Sequence, residues 1–110
     1  MDERKPRAPR APVAAEATVV ELASGGTHSG KTANLSVGGC YVATAKPLAA
    51  RAAVRVQLTY NGSTVTVYGD VTRSEAGRGM AIKFRGLEPG VATTLKRWFF
   101  GFGSDDRPGW

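Results

Sequence analysis

The sequence predicts an all-β fold: a six-stranded antiparallel barrel with one C-terminal α-helix and a flexible basic N-terminal arm. Short apolar runs alternate with polar residues at a period of two, which is typical of half-buried strands. Many of the 14 glycines fall between these runs, where tight turns are expected. A closed barrel would also remove exposed sheet edges, which a small β protein must otherwise protect.

The first three strands are short. Residues 13–23 predict a weak first strand, and the Gly- and Ser-rich segment 24–27 predicts a loop. Residues 31–35 predict a second strand, which Gly38-Gly39 ends, and residues 40–44 predict a third.

A β-hairpin is the clearest local signal. Apolar residues alternate with polar ones over residues 54–60 and again over 64–72. Asn61-Gly62 lies between these runs and is the preferred dipeptide for a two-residue type I′ turn, in which both residues need positive φ. We therefore predict two long paired strands.

One more strand and a helix complete the fold. Residues 80–84 alternate again after a Gly-rich turn and predict the sixth strand. Pro89 suits the first position of a helix, and Gly101 and Gly103 are expected to end it. Apolar residues then recur at helical spacing, a stripe that could lie on the barrel: Val91, Leu95, Trp98 and Phe99.

Three regions follow from composition. Residues 1–12 carry prolines at a spacing of three, interleaved with arginines, and predict an extended basic arm. Residues 13–100 form the barrel and helix, and residues 101–110 a tail. The formal net charge of +6 favours anionic partners.

The composition also suggests a compartment. A single cysteine excludes an internal disulfide, and the charged start of the chain is not followed by the apolar run of a secretory signal. No apolar stretch approaches the roughly 20 residues needed to span a membrane. We therefore expect a soluble, cytoplasmic protein without a membrane span.

Catalysis is not favoured. His28, the only histidine, lies in a Gly- and Ser-rich loop, and Cys40 at a strand start is typical of a small core residue. The nine acidic residues show no paired spacing suited to metal binding or acid–base chemistry. We predict no enzyme activity, no catalytic residue, no metal site and no cofactor.

Residues 34–39, which read Asn-Leu-Ser-Val-Gly-Gly, form the most informative segment. Short polar side chains beside glycines at a strand-to-strand turn can hydrogen-bond the local backbone and fix the turn. They can equally face a ligand, since glycine lets a ligand approach the backbone closely. Composition alone favours the first role over the second.

This segment resembles the Asn/Asp-x-Ser-x-x-Gly motif of PilZ domains, bacterial receptors for the second messenger cyclic di-GMP, through Asn34, Ser36 and Gly39. The run of residues 79–84, Gly-Met-Ala-Ile-Lys-Phe, follows at the right distance. The resemblance covers roughly residues 4–100 and implies a PilZ-like barrel that binds cyclic di-GMP and signals through a protein partner.

The same resemblance implies an arginine clamp before the first strand. The family carries two arginines four residues apart, whereas this sequence has Arg4, Arg7 and Arg10, spaced by three. Arginine suits this ligand because its planar fork pairs with phosphate oxygens or guanine and stacks on a base. The implied ligand-binding residues are Arg4, Arg7, Arg10, Asn34, Ser36 and Gly39.

Two other functions stay open. The shifted arginines favour a PilZ-like adaptor that does not bind the nucleotide and acts through protein–protein contacts, as in motility or pilus machinery. A basic barrel could also bind nucleic acid, but that function needs aromatic side chains interleaved with basic ones. Here the tyrosines are spread along the chain, so nucleic acid is not the expected partner.

Overall fold

The computed structural model describes residues 13–103 of the chain, with side chains described to residue 98. It contains six strands and one helix: β1 (Glu16–Glu21), β2 (Thr27–Leu35), β3 (Gly39–Ala43), β4 (Ala53–Tyr60), β5 (Ser63–Glu75), β6 (Gly79–Phe84) and α1 (Pro89–Gly103). The predicted arm, residues 1–12, and the tail from residue 104 lie outside the described residues.

The strands close into a barrel in the order β1-β2-β3-β6-β5-β4. Every neighbouring pair is antiparallel, and β1 pairs with both β2 and β4, which closes the sheet. The predicted six-stranded antiparallel barrel is confirmed. The order also places β3 beside β6, so two strands far apart in the sequence share one surface.

The β4–β5 hairpin forms as predicted. Tyr60 pairs with Ser63 across a two-residue turn. Asn61 has a φ of 54° and Gly62 a φ of 81°, so both turn residues are left-handed, as a type I′ turn requires. This tight turn sets the register of the whole hairpin.

Two strands are longer than the sequence predicts. β2 begins at Thr27, not at residue 31, and His28 pairs with Val19 of β1. Its first residues look like a loop because they are polar and only partly covered. β5 continues to Glu75, which pairs with Gly79 of β6. In both cases the neighbouring strand, not local composition, decides where the strand ends.

The core fills the barrel and continues under the helix. Pro89 is the first residue of α1, as predicted, and the helix buries Leu95 and Trp98. The Trp98 ring lies 5.5 Å from the Tyr60 ring, centroid to centroid, so the helix packs against β4 beside the hairpin turn. Phe99, the last residue of the predicted apolar stripe, has no described side chain. Within residues 13–103, no helix is long and apolar enough to cross a membrane.

Candidate ligand-binding groove

The turn between β2 and β3 is fixed by Ser36. Its hydroxyl accepts a hydrogen bond from the Gly38 N–H at 3.1 Å and donates one to the Gly39 carbonyl at 3.3 Å. The Ser36 N–H donates to the same carbonyl at 2.9 Å. Only 5% of Ser36 is exposed, so its side chain holds the turn from within.

Gly39 is required by a close approach of two strands. A Cβ built on Gly39 would lie well under 3.0 Å from the backbone carbonyl of Ile82 on β6. Real Cβ atoms essentially never come so close, and a backbone oxygen in a paired strand has little room to move. Glycine at position 39 therefore lets β3 meet β6 directly after the turn.

A groove of about 680 Å³ opens beside this turn, across β2, β3, β6 and β5. This volume lies within the range of small-ligand pockets, roughly 300–1,000 Å³. The register explains its floor: Asn34 pairs with Tyr41, Tyr41 with Ala81, and Ala81 with Arg73. Four strands thus contribute one row of residues.

The groove carries cationic side chains. Arg73 and Lys83 line it, and both are exposed. Asn34 is half-buried, and its side chain makes no hydrogen bond to another described residue. These groups suit a ligand that carries both anionic and hydrogen-bonding groups. The remaining lining residues include the turn itself: Ser36, Gly38, Gly39, Cys40, Tyr41, Thr72, Ala81 and Ile82.

Glu75 connects two residues that line the groove, Tyr41 and Arg73. The Tyr41 hydroxyl donates a hydrogen bond to Glu75 Oε1, and Arg73 Nε lies 3.3 Å from Glu75 Oε2. The hydrogen bond from Tyr41 is the main cause that lowers the pKa of Glu75, and the same bond raises the pKa of Tyr41. Both effects keep Glu75 ionised and Tyr41 protonated near neutral pH.

Neither Cys40 nor Asp70 offers chemistry to the groove. Cys40 is buried, and burial raises its thiol pKa to about 12, so the nucleophilic thiolate does not form near neutral pH. Asp70 accepts two hydrogen bonds from Arg85, at 2.9 and 2.5 Å, which lower the pKa of its carboxyl. Among residues 13–103, no group of three His, Cys, Asp or Glu side chains is placed to hold a metal ion.

The structure brings together three of the six ligand-binding residues expected from the sequence. Asn34, Ser36 and Gly39 all line the groove. Arg4, Arg7 and Arg10 lie outside the described residues. Sequence reasoning missed Tyr41 and did not connect Arg73 or Lys83 with the motif, because only the strand order shows that these residues are neighbours.

The start of the described chain is anchored near the groove. The buried Thr32 hydroxyl donates to the Val13 carbonyl at 2.5 Å and accepts from the Ala15 N–H at 2.9 Å. Thr32 lies on β2, two residues before Asn34. Val13, the first described residue, therefore lies beside the strand that carries the motif.

Similar folds occur in several solved structures. The PilZ domain of YcgR from Escherichia coli, solved with c-di-GMP, is 16% identical with a TM-score of 0.77, over 93% of this chain and 94% of that one. The PilZ domain of CeSA from a cellulose-synthesizing bacterium is 23% identical with a TM-score of 0.68, over 86% and 97%.

A third similar structure belongs to a longer protein. The Bacillus subtilis inhibitor of motility, MotI/DgrA, is 15% identical with a TM-score of 0.74, and the match covers 97% of this chain but 54% of that one. No curated protein sequence matches this chain significantly. The PilZ domain family model, however, matches residues 4–101. That match spans most of the sequence, and we conclude that the chain belongs to the PilZ domain family.

Proposed function

We propose that this chain is a receptor for cyclic di-GMP and not an enzyme. The observation that carries the proposal is the groove beside the β2–β3 turn, where Asn34, Ser36 and Gly39 lie together with two cationic side chains. The similar PilZ domain of YcgR was solved with c-di-GMP, which supports the choice of ligand.

The chemistry of the groove suits a cyclic dinucleotide. Such a ligand carries two phosphates and two guanines. The half-buried Asn34 amide supplies both a donor and an acceptor for a guanine edge. Arg73 and Lys83 supply positive charge for a phosphate. Gly39 contributes indirectly, because it lets β3 approach β6 and so shapes the groove beside the turn.

The basic arm is the second part of the proposal. Residues 1–12 form the arm, with Arg7 and Arg10 as the clamp and Arg4 as a third cation. The hydrogen bonds of Thr32 support this role because they hold Val13, the residue that follows the arm in the sequence, beside β2. An arm that orders on binding would change the surface offered to a protein partner. The folded region runs from residue 13 to the end of α1 at Gly103, three residues beyond the boundary expected from the sequence. The protein acts in the cytoplasm.

The arginine clamp is tested by removing two charges from the arm. We expect Arg7→Ala combined with Arg10→Ala to weaken cyclic di-GMP binding at least tenfold, because each arginine would contact a phosphate or a guanine. The dissociation constant would be measured by calorimetry. The control is Arg55→Ala with Arg97→Ala, which removes the same charge from exposed positions outside the groove. An equal loss in both double variants would show a non-specific charge effect and contradict the clamp.

A ligand-independent adaptor is the second candidate. The spacing of the arm arginines favours it, and the similar MotI/DgrA is an inhibitor of motility. The two functions differ in whether the nucleotide changes partner binding. If affinity capture recovers the same partners in the same amounts with and without cyclic di-GMP, the adaptor is correct and the receptor is not.

A further inference from the structure

The aromatic side chain at one end of the groove is held in a defined position. Tyr41 lies on β3, but its hydroxyl reaches Glu75 on β5, so the side chain crosses β6. It crosses at Gly79: a Cβ built there would lie 2.6 Å from Tyr41 Cε1 and 3.0 Å from Cζ. The ring therefore packs directly on the Gly79 backbone, in space that any other residue would fill.

The same carboxylate places a guanidinium beside this ring. Glu75 accepts from Tyr41 through Oε1 and pairs with Arg73 through Oε2, at 3.3 Å. Tyr41 and Arg73 both line the groove, and the Arg73 side chain is 63% exposed. One end of the groove thus presents an aromatic ring and a planar cation with restricted positions.

We propose that Tyr41 and Arg73 form a stacking subsite for a purine base, with Glu75 as the positioning residue that holds both. The inference rests on the proposed function, because it assigns one base of the dinucleotide to this end of the groove. Aromatic rings and guanidinium planes are the side chains on which nucleic-acid bases stack. A ring already seated on Gly79 loses little conformational entropy when a base covers it.

The charge of Glu75 does not oppose an anionic ligand at this end. Glu75 pairs with Arg73, and the positive charge of Arg78 also acts on both Glu75 and Tyr41. Two guanidiniums therefore surround one carboxylate, and the local balance stays positive. Each Glu75 oxygen has a partner within the cluster, and the role assigned to Glu75 is to direct the other two residues.

The test compares two tyrosines on the outer surface. Tyr41→Leu removes the ring, and we expect cyclic di-GMP affinity to fall by about tenfold or more, as for other stacked bases. Tyr68→Leu is the matched control, because Tyr68 is an exposed β5 tyrosine outside the groove, and we expect less than a twofold change. An unchanged affinity in Tyr41→Leu, with binding still weakened in the Arg7→Ala/Arg10→Ala variant, would overturn the subsite and leave the receptor function intact.

Two further measurements are needed. The first separates the contribution of the Tyr41 ring to affinity from that of its hydroxyl, and the second tests base binding at the subsite without the whole dinucleotide. Tyr41→Phe keeps the ring on Gly79 but loses its hydrogen bond to Glu75, so we expect an affinity between those of the wild type and Tyr41→Leu. An affinity equal to that of Tyr41→Leu would contradict stacking, and an affinity equal to that of the wild type would contradict the positioning of Tyr41 by Glu75. Titration of the full chain with millimolar 5′-GMP should shift the aromatic NMR signals of Tyr41 but not those of Tyr68. Shifts with 5′-GMP but no binding of cyclic di-GMP would overturn the receptor function alone, and unshifted Tyr41 signals would overturn the subsite.

Discussion

Asn34 and Ser36 belong to one motif but hold different positions in the structure. The Ser36 hydroxyl is nearly enclosed and makes two hydrogen bonds that shape the β2–β3 turn. Asn34 is half-buried at the groove and contributes no side-chain hydrogen bond to the described fold. The motif therefore combines a residue that builds the turn with a residue whose polar groups face the groove.

This difference predicts two separable phenotypes. Ser36→Ala should lower both the affinity for cyclic di-GMP and the free energy of unfolding, the latter by about 1 kcal/mol for the lost hydrogen bonds. Asn34→Ala should lower the affinity alone. Calorimetry gives the affinities and urea unfolding the stabilities. A stability loss in Asn34→Ala as large as that in Ser36→Ala would contradict the division of roles.

Gly39 and its neighbour Gly38 give a matched pair for the close strand approach. Gly39→Ala should destabilise the fold by about 1–3 kcal/mol, because the new methyl group would overlap the Ile82 carbonyl. In Gly38→Ala the Cβ would meet only Ser36 Oγ, at 3.8 Å, which is an ordinary contact. Urea unfolding of both variants checks this, and similar midpoints would show that the overlap is not the cause.

Burial of Cys40 predicts a pH dependence of stability. The thiol pKa is about 12 in the folded protein, against an ordinary value of 9.0. Above pH 9 the unfolded chain loses its thiol proton while the folded protein keeps it, so unfolding becomes more favourable as the pH rises towards 12. Cys40→Ala should therefore lose less stability than the wild type between pH 9 and 12, measured by urea unfolding. The same pH dependence of unfolding free energy in both proteins would contradict a buried, neutral thiol.

At the scale of single elements, local sequence was sufficient where one short segment decides the structure. The Asn61-Gly62 turn and the helix start at Pro89 were both predictable, because φ preferences act within a few residues. The start of β2 was not, since polar residues there become a strand only through pairing with β1. Where pairing with a neighbouring strand determines the end of a strand, the residues at that end do not predict it.

Helix α1 should be held to the barrel mainly by its buried residues. Trp98 is 5% exposed and packs against Tyr60, so Trp98→Ala should cost about 3–5 kcal/mol of unfolding free energy. Lys96→Ala, an exposed position on the same helix, is the control and should change stability little. Denaturant unfolding followed by circular dichroism measures both, and equal small effects would show that the helix contributes little to the core.

At the scale of the whole molecule, the groove depends on the strand order. Tyr41, Arg73 and Asn34 come from three strands, and they form one row only because β6 lies between β3 and β5. A bulge between Val71 and Arg73 also shifts the register of β5. The motif residues were predictable from the sequence, but their neighbours were not, since neither the barrel order nor a bulge has a local signature.

The most direct test of the account is a calorimetric titration of the full chain with cyclic di-GMP, with GTP as the control nucleotide. The groove and the basic arm predict saturable binding in the low-micromolar range or tighter, and no comparable binding of GTP. Absence of heat at high cyclic di-GMP concentration would contradict the receptor function. The barrel fold and the PilZ family membership would be unaffected, and the function would be better explained as that of a ligand-independent adaptor.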